Sequence, residues 1–339
     1  METPVGPPPS PFLVFEAINA YHRTAAIKAA IELQVFTAID NGRRSAAEIA
    51  AACGAAERGV RIICDNLVVY GLLTKDGTQY GLTATAKTFL SGNSPAYMGG
   101  AIQFLLSPTI MLGFDRMTEA VRRGGTAIPE SGTLAPEHNV WVDFARAMAP
   151  MMMMPAQQLA ETVLKVKPGP IAVLDIAAGH GLYGLAVCKA NPASRLTALD
   201  WANVLEVATE NAAKIGLADR FTTIAGSAFD APLGGPYDVI LLPNFLHHFD
   251  PPTCVALAKR LKSALNPDGV VATMEFVPND DRVSPPGAAT FSLVMLASTP
   301  SGDAYTFKEY EQMFADAGYS SSELHRFEGA PHAVVLTRP

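Results

Sequence analysis

Residues 171–184 read IAVLDIAAGHGLYG, and residues 195–200 read RLTALD. The first stretch begins as an apolar strand, turns through small residues and opens a helix. The second is a short strand that ends on a carboxylate. An α/β sheet builds a nucleoside site in this way. Ala177, Ala178, Gly179 and Gly181 have small side chains or none, so the backbone there can come close to a ligand. Asp200, with Trp201 after it, stands at the tip of the next strand and can accept both hydroxyls of a ribose. Gly179, Gly181 and Gly184 fit G-x-G-x-x-G, a weak pattern when it stands alone. Asp175 separates the ligand classes. A carboxylate ending the first strand would repel pyrophosphate and attract a sulfonium or an ammonium. S-adenosylmethionine carries both cations and is favoured over a dinucleotide. In the competing reading Asp175 caps the turn and Asp200 is a helix N-cap.

Around this stretch, residues 167–339 alternate strand and helix. Strands are predicted at IAVLDI, RLTALD, FTTIA, DVILLPN and GVVATMEFV, with a closing pair near 320–326 and 333–337. The pattern predicts a mostly parallel, doubly wound Rossmann-like sheet, with ligands at the carboxyl ends of its strands. That rim should gather Asp175, Asp200, Ser227, Ala228, Phe229, Asn244, His247, His248 and Glu275. In PYDVILLPNFLHHFDPP, His247 and His248 follow the fourth strand, where an imidazole can act as a base. Glu275 interrupts an apolar strand and could orient a histidine, or cap the segment that follows. Adjacent histidines point in different directions and no Asp-rich ligand set accompanies them, so no metal site is expected.

Residues 1–94 form an N-terminal arm and a mostly helical winged-helix domain. Apolar residues recur at helical spacing from Phe12 to Ile39, SAAEIAAACG carries a capping box ended by Gly54, and Glu57 to Leu73 reads as a further helix. Asp76-Gly77 then turns a hairpin. Winged helices often bind DNA, and Arg58 and Arg61 could meet phosphate; Asp65 and the acidic total argue for a dimerisation module instead. Residues 95–166 read as a helical linker rich in methionine. There VWVDFARAMAPMMMMPAQQLAETVL sets Trp141, Phe144 and Met148 on one face, and Pro150 and Pro155 are expected to kink or restart the helix. Methionines suit a pocket for a flat aromatic compound, although such stripes also fill cores.

The 339 residues allow two or more domains, and 49% hydrophobic against 17% charged residues points to extensive burial that includes a subunit interface. A net charge of −7 argues against a general nucleic-acid or anionic-membrane surface. Pro108 breaks the stretch AIQFLLSPTIMLGF, so no apolar run reaches spanning length. METPVGPPPSP lacks the basic and apolar parts of a signal sequence and reads as a flexible arm. Cys53, Cys64, Cys188 and Cys254 show no paired spacing, which suits reduced thiols in a cytoplasmic protein.

Taken in order, these segments resemble the plant-type small-molecule O-methyltransferase family, which includes many bacterial secondary-metabolite enzymes. The resemblance covers nearly the whole chain: AAIKAAIELQVFTAI and YGLLTKDGTQYGLTATAKTFL, FARAMAP, LDIAAGHG, LHHFDPPTC, LNPDGVVATMEFVP, and SLVMLASTPSGDAYTFKEYEQMFADAGY. It implies a homodimer that uses S-adenosylmethionine on a hydroxyl of a small aromatic or polyketide-like molecule. It also implies His247 as general base, Glu275 as the acid that holds it, and Phe144, Met148 and Met295 in the acceptor pocket. Four positions depart from the family pattern. Ala177-Ala178-Gly179 replaces three glycines, Ser227 replaces an adenine-contacting acid, Ala304 beside Asp303 replaces a second carboxylate, and Thr299 replaces a polar pocket residue. Methylation at carbon or nitrogen on the same scaffold, or a ligand-sensing DNA-binding regulator, are the competing functions.

Overall fold

A computed structural model describes residues 9–128 and 140–339. Most of the arm expected over METPVGPPPSP lies outside the described residues. The chain divides into two compact units between Ile102 and Gln103. The segment from 103 to 166, expected as a separate linker, belongs to the second unit.

The first unit is the predicted winged helix. Its helices are Phe12–Glu32, Val35–Asp40, Ala46–Cys53, Glu57–Val69 and Ala84–Leu90, with a hairpin of β1 (Leu73–Asp76) and β2 (Gln79–Leu82). The helical spacing read through to Ile39 is interrupted. Gln34 takes a left-handed conformation (φ 56°), so the chain turns and a new helix starts at Val35. The Ser45 hydroxyl accepts the Glu48 N–H while Glu48 accepts the Ser45 N–H, and Gly54 (φ 62°) ends the helix. Asp76 pairs with Gln79, so the turn residues are Gly77-Thr78, one position later than read from sequence. Phe36, Ile49, Val60, Leu67, Leu73 and Tyr80 form the core of this unit. Arg61 is held by Asp65, which also accepts from Lys75 and Tyr80. Helix Phe12–Glu32 buries only Ala30 and Ile31 and exposes Phe12, Phe15, Ile18 and Tyr21.

The second unit contains a 7-stranded sheet made of all the segments predicted as strands. These are β3 (Ala172–Ile176), β4 (Arg195–Asp200), β5 (Phe221–Ala225), β6 (Tyr237–Pro243), β7 (Leu265–Phe276), β8 (Ser321–Arg326) and β9 (His332–Arg338). Their order is β5-β4-β3-β6-β7-β9-β8, parallel up to β7, with β9 antiparallel between β7 and β8. Strand order reverses between β3 and β6, which opens a crevice at their carboxyl ends. Leu174, Ile176, Leu199, Ile240 and Leu242 pack in the core beneath that rim.

Helix Val140–Val166 continues through Pro150 and Pro155, so the chain does not stop and restart at them. Ala145, Met148, Met152, Pro155, Leu159 and Val163 lie at spacings of three and four and are buried. Burying this stripe offsets the hydrogen bonds that the prolines remove. The helix packs along helix Leu182–Ala190. Among the described residues no helix is long and apolar enough to cross a membrane.

Candidate active site

A cavity of about 650 Å³ lies at the switch point. It is lined by the segments that follow β3, β4, β5 and β6, by the end of β7 and the start of β9, and by helix residues Trp141, Phe144 and Met148.

The loop after β3 leaves the sheet through positive φ at Ala177 (52°), Gly179 (56°) and Gly181 (73°). This backbone turns the Gly179 N–H toward β4, where it donates to Asp200 Oδ2 at 2.8 Å. The Trp201 N–H donates to Oδ1 at 2.7 Å, so both carboxylate oxygens are fixed and each keeps acceptor capacity. Burial nevertheless pushes the Asp200 carboxyl up to about 6. Ala177, Ala178, Gly179, Asp200 and Trp201 line the cavity; Gly181 does not, and instead starts the next helix.

Asp175 also stays below the cavity surface. Its Oδ2 accepts the Gly184 N–H at 3.1 Å, Oδ1 has no partner among the described residues, and burial raises its pKa to about 8. A Cβ at Gly184 would come within 2.4 Å of Leu196, so the helix can lie this close to the sheet only with glycine there. The turn-capping reading of Asp175 matches its hydrogen bond in the structure.

Ser227, Ala228 and Phe229 form the next part of the rim, with the Ser227 hydroxyl accepting the Phe229 N–H at 3.1 Å. Asn244 follows β6 in a left-handed conformation (φ 52°). Its Nδ2 donates to the Tyr183 hydroxyl at 2.9 Å, and that hydroxyl donates to Met152 Sδ at 3.2 Å. The chain of donors fixes the amide orientation and leaves Oδ1 buried without a partner among the described residues. Unfilled acceptors on Asp200 and Asn244, flanked by the rings of Trp201 and Phe229, fit a cationic nucleoside such as S-adenosylmethionine. The lone pairs that Asp200 keeps could accept the hydroxyls of a ribose.

Across the cavity, Glu275 near the end of β7 is fully buried. Its Oε1 accepts the N–H groups of Phe245 (2.9 Å), Leu246 (2.9 Å) and His247 (3.4 Å). Oε2 faces His247 Nδ1 at 2.5 Å. Burial works against charge on both partners, lowering the His247 pKa and raising that of Glu275, while the backbone N–H groups favour the carboxylate. With Nδ1 engaged, Nε2 is the ring nitrogen left for a substrate. His248 lines the cavity beside it, 4.3 Å from the His247 ring and 5.3 Å from that of Trp141, with Nδ1 unpartnered among the described residues.

Phe144, Met148 and Met295 line the cavity as predicted, but Thr299 does not. The Thr299 hydroxyl donates to Met295 O (2.8 Å) and accepts the Gly302 N–H (2.9 Å), which closes the end of helix Phe291–Ser298. Asp303 pairs with Arg282 at 3.1 Å and Ala304 is buried, so neither provides a carboxylate to the cavity. The titratable side chains among the described lining residues that were not singled out from sequence are His180, Tyr183 and His332. His180 and Tyr183 belong to the decisive stretch and could have been suspected from that position. His332 follows Ala-Pro at the start of β9 with no motif around it. Burial lowers His180 and His332 to about 4. Among the described residues no three His, Cys, Asp or Glu side chains cluster as metal ligands.

Comparison with known proteins agrees with this geometry. Residues 133–320 match the O-methyltransferase domain model and residues 15–92 the O-methyltransferase dimerisation domain model. A 3-hydroxy-5-methyl-1-naphthoate 3-O-methyltransferase of Streptomyces sahachiroi is 31% identical over 331 residues, covering 95% of this chain and 94% of that protein. A crystal structure from Nostoc punctiforme PCC 73102, assigned to the O-methyltransferases, is 53% identical with a TM-score of 0.94, covering 98% of this chain and 100% of the other. An O-methyltransferase from neocarzinostatin biosynthesis, solved with S-adenosylmethionine and 2-hydroxy-5-methyl naphthoic acid, is 26% identical with a TM-score of 0.70 over 93% of this chain and 95% of its own. The chain therefore belongs to the O-methyltransferase family and is an S-adenosylmethionine-dependent methyltransferase.

Proposed function

We propose that the protein methylates a hydroxyl of a small aromatic or polyketide-like molecule, with His247 as general base. The observation that carries this reading is the buried contact of His247 Nδ1 with Glu275 in a ring that also lines the cavity. Glu275, anchored by the backbone of 245–247, fixes the imidazole so that Nε2 can take the acceptor's hydroxyl proton. It also stabilises the imidazolium that results. S-adenosylmethionine, when bound, supplies an electrophilic methyl group. The donor side would be formed by Ala177, Gly179, Asp200, Trp201, Ser227, Ala228, Phe229 and Asn244, with Asp175 and Gly181 holding the loop beneath them. Phe144, Met148, His248 and Met295 would hold the acceptor. The naphthoate acceptors named for two relatives support the aromatic assignment. The matched dimerisation domain supports a homodimer, and the composition suits a cytoplasmic setting.

Steady-state kinetics of His247→Gln, with S-adenosylhomocysteine affinity measured by calorimetry, tests the base. We expect turnover to fall on the order of 10²-fold or more while donor-site affinity stays the same. Near-normal turnover would leave positioning as the source of the rate, as expected for methylation at carbon or nitrogen.

A further inference from the structure

Among the described residues, four histidines line the cavity: His180, His247, His248 and His332. His180 accepts the Leu182 N–H, His247 is paired with Glu275, and His248 stands beside the base. His332 makes none of these contacts among the described residues, although it lies within electrostatic reach of Glu275 and His247. It opens β9 directly opposite Phe276 of β7, so strand pairing fixes it at the rim. The residue is 7% exposed, and its Nε2 has no hydrogen-bond partner among the described residues. A buried imidazole nitrogen without a partner has lost its hydration and gained nothing; this one is enclosed, and a turn of the cavity-lining ring would bring it to a ligand group.

The surroundings indicate the kind of ligand. The His332 ring lies 4.2 Å from Phe276, which stacks at 3.9 Å and 13° on Phe291, itself 4.8 Å from the His247 ring. All four line the cavity, so a continuous run of rings joins the base to His332. We propose that His332 is a specificity-determining residue whose Nε2 hydrogen-bonds a second oxygen, a hydroxyl or carbonyl, on the far ring of a fused-ring aromatic acceptor whose reacting hydroxyl lies at His247. The proposal rests on the O-methylation reading of this cavity. Burial keeps the His332 imidazole neutral at ordinary pH, with one donor nitrogen and one acceptor nitrogen. A neutral ring suits a hydroxyl or carbonyl better than a carboxylate, and no Lys or Arg is among the described lining residues to meet an anion.

The test compares 2-naphthol with 2,7-dihydroxynaphthalene as acceptors for the full chain and for its His332→Phe and His332→Gln variants. S-adenosylhomocysteine calorimetry shows whether each variant is folded. For the wild type we expect kcat/KM for the diol to exceed that for the naphthol by about tenfold or more, mostly through KM, because a site built to pair an oxygen discriminates against its absence. His332→Phe should bring the ratio to within about threefold of unity, and His332→Gln should recover part of it. Equal wild-type efficiency on the two acceptors, or a ratio that survives in His332→Phe, overturns the role of His332 and leaves the methylation reading intact. A wild type that binds S-adenosylhomocysteine but methylates neither acceptor overturns the fused-ring phenol reading together with this inference.

Discussion

Glu275 has no exposed surface, yet one of its oxygens meets three backbone N–H groups and the other meets an imidazole. This asymmetry makes Glu275→Gln informative. The amide oxygen must stay with the backbone donors, so the amide NH₂ would face Nδ1 and push the ring proton to Nε2. A base with the wrong tautomer cannot accept the acceptor's proton. We expect turnover to fall on the order of 10²-fold or more with unchanged S-adenosylhomocysteine affinity, as for His247→Gln. A loss of only a fewfold would show that the ring finds its tautomer without the carboxylate. Asp200 gives a pH prediction. Its carboxyl is raised to about 6 in the free protein, and a ligand that donates hydroxyls to it binds the ionised form. Protonation therefore competes with the ligand. Calorimetric affinity for S-adenosylhomocysteine should be flat above pH 6 and weaken as pH falls through it, approaching about tenfold per unit. Asp200→Asn should bind more weakly at neutral pH and lose that dependence; a wild-type affinity unchanged down to pH 5 would remove Asp200 from the donor site. Asp200 and Glu275 stood out because each is a polar group ending or interrupting an apolar strand, and His247 because it closely follows one. Thr299 looked similar, but its hydroxyl closes a helix end, and a sequence does not show which way a hydroxyl turns. His332 was invisible because its place depends on the register of β9 on β7, a pairing across more than fifty residues of chain.

At the level of single elements, local signals decided most of what was readable. The capping box at Ser45, Gly54 at the end of its helix and the alternation of strands with helices all survive folding. The failures share a cause. Pro150 and Pro155 are strong local breakers, but the buried stripe of helix Val140–Val166 is a tertiary feature that outweighs them. Gln34 breaks a helix that spacing alone would continue, with no glycine or proline to announce it. A second capping box supports the catalytic sheet. The Thr306 hydroxyl accepts the Glu309 N–H, and Glu309 Oε2 accepts the Thr306 N–H at 2.8 Å. The helix they start, Phe307–Asp316, buries Tyr310, Met313 and Phe314 in the core of the second unit and packs on β8 and β9. Thr306→Ala should cost about 1 kcal/mol of stability in urea unfolding, and Thr306→Ser much less. Equal stability of all three proteins would mean that the helix start is held by packing alone.

On the scale of the whole molecule, the second unit has a closed core, whereas the first turns of the N-terminal helix are apolar around their circumference and uncovered among the described residues. Phe12, Leu13, Val14, Phe15, Ile18 and Tyr21 are between 56% and 75% exposed, on a helix that buries only Ala30 and Ile31. Scattered exposed apolar residues are ordinary on a protein surface, but six within ten residues of one helix, set around its circumference, are the pattern of a helix that another surface covers. Lysine and glutamate would be the usual occupants if this helix faced water in the working protein. The segment matching the dimerisation domain starts at residue 15, within the patch, so a second copy of the chain is the partner we expect. A twofold interface is isologous, and each substitution in it therefore acts twice. Light scattering at micromolar concentration should report about twice the chain mass of 35.9 kDa for the wild type. Phe15→Glu with Ile18→Glu should shift the protein toward the monomer, because pairing the patch would then bury four carboxylates without partners. A Lys pair at the same positions should act alike, which separates loss of apolar contact from a specific acidic effect. A wild type that stays monomeric, or a doubly charged variant that still dimerises, would place the subunit interface elsewhere and leave this helix to another occupant.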